Sequence, residues 1–166
     1  MRFSILTLLV VILFAAVACK FLFPPNPIKS VNTTAEWESA TENTFAVVFV
    51  DADCNGWMTV YRNRVDEYAA WFMDRYGKQA IFVDTSPGSS LNEPKNIEQP
   101  LFDLLQQFWQ THDVPTGGMK TIGGAGTVAW IKDGILVDHE FIGMIETLDE
   151  MSSRSNSAFQ QANSAR

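Results

Sequence analysis

The sequence predicts an α/β domain with a mixed central sheet covered by helices on both faces. Three observations carry that prediction. Short apolar runs rich in β-branched residues alternate with longer amphipathic stretches, the order that builds sheets from strands joined by crossover helices. Further along, an Asp-Gly turn joins two strand-like runs and adds an antiparallel pair. One more helical stretch follows, so helices are available for each face.

Taken in order, Thr33 or Thr34 can cap a helix through AEWESATEN, with Glu36 or Glu38 in its first turn, where negative charge suits the dipole. Residues 45–50 read FAVVFV, a strand apolar on both sides and therefore central. Turn residues from Asp51 to Gly56 end it. From Met58 to Tyr76, the residues Val60, Tyr61, Val65, Tyr68, Ala69, Phe72, Met73 and Tyr76 recur along one helical stripe, and Gly77 is a natural stop. Ala80 to Val83 is a second buried strand, and Thr85 to Pro100 reads as a loop rich in Ser, Pro, Asn and Gly. Leu101 to Trp109 is an amphipathic helix with Leu101, Leu104, Leu105 and Phe108 inward. After a Gly-rich segment, Gly117 to Gly126, the strand TVAWI (127–131) turns at Lys132-Asp133-Gly134 and returns as Ile135 to Ile142. Gly143 opens into a last helix through IETLDEM. The polar sequence 152–166 reads as a disordered tail, which leaves 30–151 as the folded domain.

Composition narrows the function. A chain of 166 residues, 46% hydrophobic and 12% aromatic, is one domain with enough apolar surface for a core that needs neither metal nor disulfides. A net charge of −7 excludes a nucleic-acid groove, which needs a basic face. Two cysteines cannot staple a disulfide framework or build a four-cysteine zinc site. His112 with Asp113 suits a helix end, while His139 and Glu140 alternate along a strand and point to opposite faces, so no metal site is expected. The segment GGMKTIGGAG lacks the glycine–lysine order of a phosphate loop. No cofactor is implied.

The N-terminus reads as an address. Arg2 precedes the apolar run from Phe3 to Cys19, which ends in Ala16-Val17-Ala18, a small-x-small cleavage pattern. Cys19 follows directly, so the ending also resembles a bacterial lipobox, in which that cysteine would be lipidated. Phe21-Leu22-Phe23 extend the apolar character and suit an uncleaved anchor instead. Lipoprotein, anchor and secreted form all place the domain outside the cytoplasm, on the periplasmic side in a Gram-negative bacterium. Residues 20–29, with Pro24 to Pro27, read as a stiff spacer.

From Ser30 to Met151 the element order resembles the thioredoxin-like family. The strand FAVVFV leads through DAD to Cys54 at the start of a long helix, and TVAWI, Lys132-Asp133-Gly134, ILVDHEFI and Gly143 follow the family's hairpin pattern. The resemblance implies the thioredoxin-like three-layer fold. Its redox motif, Cys-x-x-Cys, reads here Cys54-Asn55-Gly56-Trp57, which keeps the attacking position and replaces the resolving cysteine by tryptophan. A mixed disulfide is released by the second thiol, so this chain cannot complete a dithiol cycle by itself. Asp53 stands where a tryptophan is usual and opposes thiolate formation at Cys54. The family's buried carboxylate aligns with Val48, and its cis-proline with Gly126 before Thr127 or, alternatively, with Pro115.

Two readings follow. In the first, the domain is a membrane-tethered, extracytoplasmic protein-binding module without dithiol turnover, its partner a client or envelope protein met through Asp53, Trp57, Gly126 and Thr127. In the second, Cys54 is the catalytic group of a single-cysteine thiol-disulfide oxidoreductase, resolved by an outside thiol or by Cys19. Trp71, Trp109 and Trp130 are core or rim aromatics by spacing.

Overall fold

The computed structural model describes residues 25–51, 57–86, 94–112 and 126–164. The elements are β1 (Ile28–Ser30), α1 (Thr34–Thr41), β2 (Phe45–Asp51), α2 (Trp57–Tyr76), β3 (Ala80–Asp84), α3 (Gln99–Thr111), β4 (Thr127–Lys132), β5 (Ile135–Phe141), a 3-10 turn (Ile142–Met144) and α4 (Leu148–Ser164). The sheet order is β1-β3-β2-β4-β5. β1, β3 and β2 run parallel, and β4 and β5 are added antiparallel. A mixed five-stranded sheet in this order, between two helical layers, is the thioredoxin-like three-layer fold.

Alternation along β2 explains the layers. Ala46, Val48 and Val50 face α1 and α3, packing in one core with Trp37, Leu101, Phe102, Leu105 and Trp109. Phe45, Val47 and Phe49 face α2 and α4, in a second core with Val65, Tyr68, Phe72, Met151 and Ala158. A strand covered on both sides must be apolar at every position, which is why 45–50 read as an unbroken run.

Local chemistry fixes the helix ends. Thr33 is the cap of α1: its Oγ1 accepts the Glu36 N–H at 3.2 Å, and Glu36 Oε2 accepts the N–H groups of Asn32 (2.8 Å) and Thr33 (3.2 Å). Those bonds hold the Glu36 carboxyl below its usual range. Glu98 Oε1 accepts the Thr34 N–H at 2.7 Å, and the Glu98 N–H donates to Asn32 O at 2.9 Å, so the starts of α1 and α3 are tied together. α2 carries the expected stripe and stops at Gly77, whose φ of +68° lies in the left-handed region. Asp133 and Gly134, at φ of 52° and 77°, make the primed turn expected of Asp-Gly.

Five sequence expectations need correction. The polar stretch after Ser152 is not a disordered tail but most of α4, with Met151, Ser155 and Ala158 buried against the sheet. The small side chains of Ser155 and Ala158 let the helix lie close, and the Ser155 hydroxyl is answered on two sides. The spacer ends early: Ile28–Ser30 is an edge strand paired with Ala80, Ile81 and Phe82, where β3 supplies the pairing that three residues alone cannot. Gly143 belongs to the 3-10 turn and α4 starts only at Leu148, while α3 begins at Gln99 with Pro100 in its first turn, where a missing N–H costs nothing. On α3, Phe102 and Trp109 are buried, and Leu104 and Phe108 are only packed against the core edge.

The second core contains a polar knot. Trp130 Nε1 donates to Ser155 Oγ at 2.6 Å and lies 3.2 Å from Tyr68 Oη, and the Tyr68 and Ser155 hydroxyls are bonded to each other. β4, α2 and α4 are thereby joined through three side chains. Burial pushes the Tyr68 phenol up, so it stays protonated. At the β5 edge, the N–H groups of His139 and Phe141 donate to Asp138 Oδ1 (2.8 Å) and Glu140 Oε1 (2.9 Å). Arg154 of α4 pairs with both carboxylates, at 3.8 Å and 2.8 Å.

Ending the chain after Met151 should abolish cooperative unfolding, because Phe45, Val47 and Trp130 lose their cover; a denaturant melt followed by tryptophan fluorescence reads this. The raised Tyr68 pKa means its stabilisation is complete below the unfolded value of about 10 and is lost as pH rises beyond it. Tyr68→Phe should cost about 1–2 kcal/mol at neutral pH and flatten the alkaline fall in stability, measured by urea titrations at rising pH.

Candidate functional site

The parallel strands β2 and β3 end side by side, with Asp51 and Asp84 in register, and α2 starts just beyond the β2 end. In open α/β sheets, clefts form outside the carboxyl ends of such strands. On this rim Asp84 is used internally: its carboxylate accepts from the Ser86 N–H at 3.0 Å, from the Ser86 hydroxyl and from the Asn96 side-chain amide, shaping the exit from β3.

Gly126 closes the rim where β4 begins. Its N–H donates to Val50 O at 3.1 Å, and its carbonyl accepts from the Ile142 N–H at 2.7 Å, so one residue links the ends of β2 and β5. Its φ is +81°, and an added Cβ would meet Ile142 Cγ2 at 2.9 Å and the Phe141 ring at 3.3 Å. Both conformation and space therefore demand glycine. A proline at 126 could supply neither that φ nor that N–H. The position is an extension of the β2–β4 ladder. The alternative alignment, Pro115, lies outside the described residues.

Beside Gly126 the rim forms an apolar concavity lined by Phe49, Val50, Tyr61, Val65, Thr127 and Ile142. Thr127 is 6% exposed and opens β4 opposite Val50 and Phe141. Tyr61 comes from the second turn of α2. The Arg64 guanidinium lies 5.6 Å from the centre of the Tyr61 ring and donates to Ile145 O at 3.0 Å, bracing the segment after β5 against α2. Gly143 sits against the Phe141 ring and the Tyr61 hydroxyl, leaving no room for a side chain. The next residue, Met144, is 67% exposed, one of two large apolar side chains left open among the described residues.

The expected site residues divide. Gly126 and Thr127 come together with Tyr61 on this rim. Trp57 is the first residue of α2, and its backbone position puts it at the same end of the sheet. Cys19, Asp53 and Cys54 lie outside the described residues. Val48 is fully buried on the α1/α3 face, so no carboxylate stands there. His112 caps α3, its Nδ1 2.7 Å from Phe108 O. His139 and Glu140 pair with Ala129 and Val128, on opposite faces. Sequence reasoning missed Tyr61 as a rim residue, and with it Ile142, Gly143 and Met144. The available signal was a glycine directly after a strand, followed by a methionine that no helical stripe claims.

Chemically, the described lining offers methyl and aromatic surface, one phenol and one threonine.

No protein-family model matches the sequence, and neither does any curated protein. Among solved structures, a thioredoxin from Malassezia sympodialis is similar at 10% identity with a TM-score of 0.48, over 79% of this chain and 90% of that one. A thioredoxin from Nicotiana alata is similar at 15% identity and a TM-score of 0.47, over 81% and 94%. A thioredoxin from Trypanosoma brucei brucei is similar at 12% identity and a TM-score of 0.48, over 80% and 95%. The assignment of a thioredoxin-like fold stands on the order and directions of the five strands.

Proposed function

We propose that the protein is a membrane-tethered, extracytoplasmic thioredoxin-like module that binds an envelope or client protein at the Gly126 rim, without dithiol turnover. The observation that carries this reading is Met144, 67% exposed two residues after Ile142, which belongs to the apolar and aromatic rim. An open apolar side chain at the edge of such a surface is the composition of an interface centre. Trp57, at the start of α2, adds an aromatic residue at the same end, and Asp53 precedes it by four positions in the sequence. The motif Cys54-Asn55-Gly56-Trp57 has no resolving cysteine, which supports binding over turnover. The tether is the apolar run ending at Cys19, held as an anchor or through a lipid on that cysteine.

The second reading, a single-cysteine thiol-disulfide oxidoreductase, is favoured by one observation: α2 begins at Trp57, so Cys54 precedes a helix N-terminus by three residues. Such a position lowers a thiol pKa. In a Cys19→Ser background, where Cys54 is the sole thiol, the binding module should show an alkylation midpoint near the free value of about 8.5. A midpoint below about 7 would give the oxidoreductase reading the lead. A photocrosslinker at Met144 in the intact envelope should yield a discrete protein adduct that survives Cys54→Ser, while one at Glu38, on α1, should yield none. Loss of the adduct on Cys54→Ser would mean that the thiol makes the contact.

A further inference from the structure

The end of the sheet opposite the Gly126 rim has its own character. There the described chain begins, and it is pinned at once. Gln79 Nε2 donates to Asn26 O at 2.6 Å, the Ala80 N–H to Pro27 O at 2.9 Å, and the Ile28 N–H to Asn26 Oδ1 at 3.0 Å. Next to this exit is a groove of about 350 Å³ whose charged lining residues are Lys29 and Lys78. No carboxylate lines it, although the chain as a whole carries a charge of −7. Lys78 reaches across to the Thr44 hydroxyl, and the carboxylate that feels the charge of Lys29, Glu36, is already held by two backbone N–H groups. At the same end the β4–β5 turn, tied to Thr44 O through the Asp133 N–H at 2.9 Å, leaves Ile135 64% exposed. Lys132 pairs with Asp133 beside it at 3.2 Å.

Distance decides what meets this surface. Between Cys19, where the apolar run ends, and Pro25, where the described chain starts, lie only residues 20–24. Fully extended, that stretch reaches about 20 Å. If the run or a lipid on Cys19 is held in a bilayer, Asn26 stays within about 24 Å of its surface, and the Lys29–Lys78 groove, lined by the same Gln79 that holds Asn26, lies beside it. The Gly126 rim lies a further strand length away, about 20 Å.

We propose that this end of the domain rests on the lipid surface. Lys29 and Lys78 face the phosphates of anionic headgroups, Ile135 enters the interfacial layer, and the rim with Gly126 and Met144 points away from the membrane. The proposal rests on the tethered reading above and assigns it an orientation. A basic groove and one exposed apolar side chain at the tip of a turn supply the two attractions that hold a domain against a bilayer.

The full chain, carrying an environment-sensitive fluorophore on an introduced non-natural residue at position 135 or 144, is reconstituted into phosphatidylcholine vesicles containing phosphatidylglycerol and headgroup-spin-labelled lipid. Strong quenching at 135 with little at 144 is expected. Lys29→Glu with Lys78→Glu should lower the membrane-facing population by on the order of fivefold per lysine on these vesicles. It should have little effect on pure phosphatidylcholine. Stronger quenching at 144, or none at either site in protein that floats with the vesicles, would overturn the orientation while leaving the tether intact. Unchanged quenching in the lysine variant would overturn the headgroup contact. Protein that fails to float would remove the tether itself, and the proposal with it.

Discussion

Everything in this molecule is arranged around a strand that has no outer side. Phe45 to Val50 are all buried, paired to β3 on one flank and β4 on the other, and covered above and below. Such a strand cannot be stable until both faces have helices, because its alternate side chains belong to two different cores. That single requirement explains the long stripe on α2, the paired starts of α1 and α3, and the need for a helix as late in the chain as α4. It also explains the knot between Trp130, Tyr68 and Ser155. An indole buried in the α2/α4 layer must have its N–H answered, and the two hydroxyls nearest to it come from the two helices that cover it.

Legibility in the sequence followed the strength of local signals. FAVVFV, the α2 stripe, Gly77 and the Asp-Gly turn were all readable because each is a local pattern with one physical meaning. The body of α4 beyond Met151 was not, because its buried positions there are occupied by Ser155 and Ala158 among polar neighbours, and only the sheet beneath reveals which side is inward. β1 was hidden for the opposite reason: three residues after a proline carry almost no preference of their own, and pairing with Ala80 to Phe82 makes the strand. The rim was half legible. Gly126 and Thr127 could be placed by analogy with a family hairpin, but Tyr61 read as one member of a core stripe, and Gly143-Met144 read as the entry to the last helix. The charge arithmetic likewise concealed the Lys29–Lys78 groove, since a net balance says nothing about where opposite charges collect.

Gly126 shows how the backbone of one residue can fix a corner of the sheet. The residue joins the ends of β2 and β5 through its own N–H and carbonyl, and the neighbouring side chains fill the space a Cβ would need. The rim is therefore shaped by backbone at its centre and by side chains only at its margins, from Tyr61 on one side and Met144 on the other. Recognition at such a rim depends on what surrounds the glycine, and the floor itself can vary little.

The lateness of α4 has a consequence for how the chain comes to be folded. Synthesis runs from the N-terminus, so the sheet face bearing Phe45, Val47, Phe49 and Trp130 is complete before the helix that covers it has been made. Until Leu148–Ser164 arrives, the nascent chain keeps a sticky, half-built layer and cannot lock. A polypeptide with that property remains loose enough to be threaded or escorted while it is still being made. The knot of Trp130, Tyr68 and Ser155 can close only once Ser155 has been made.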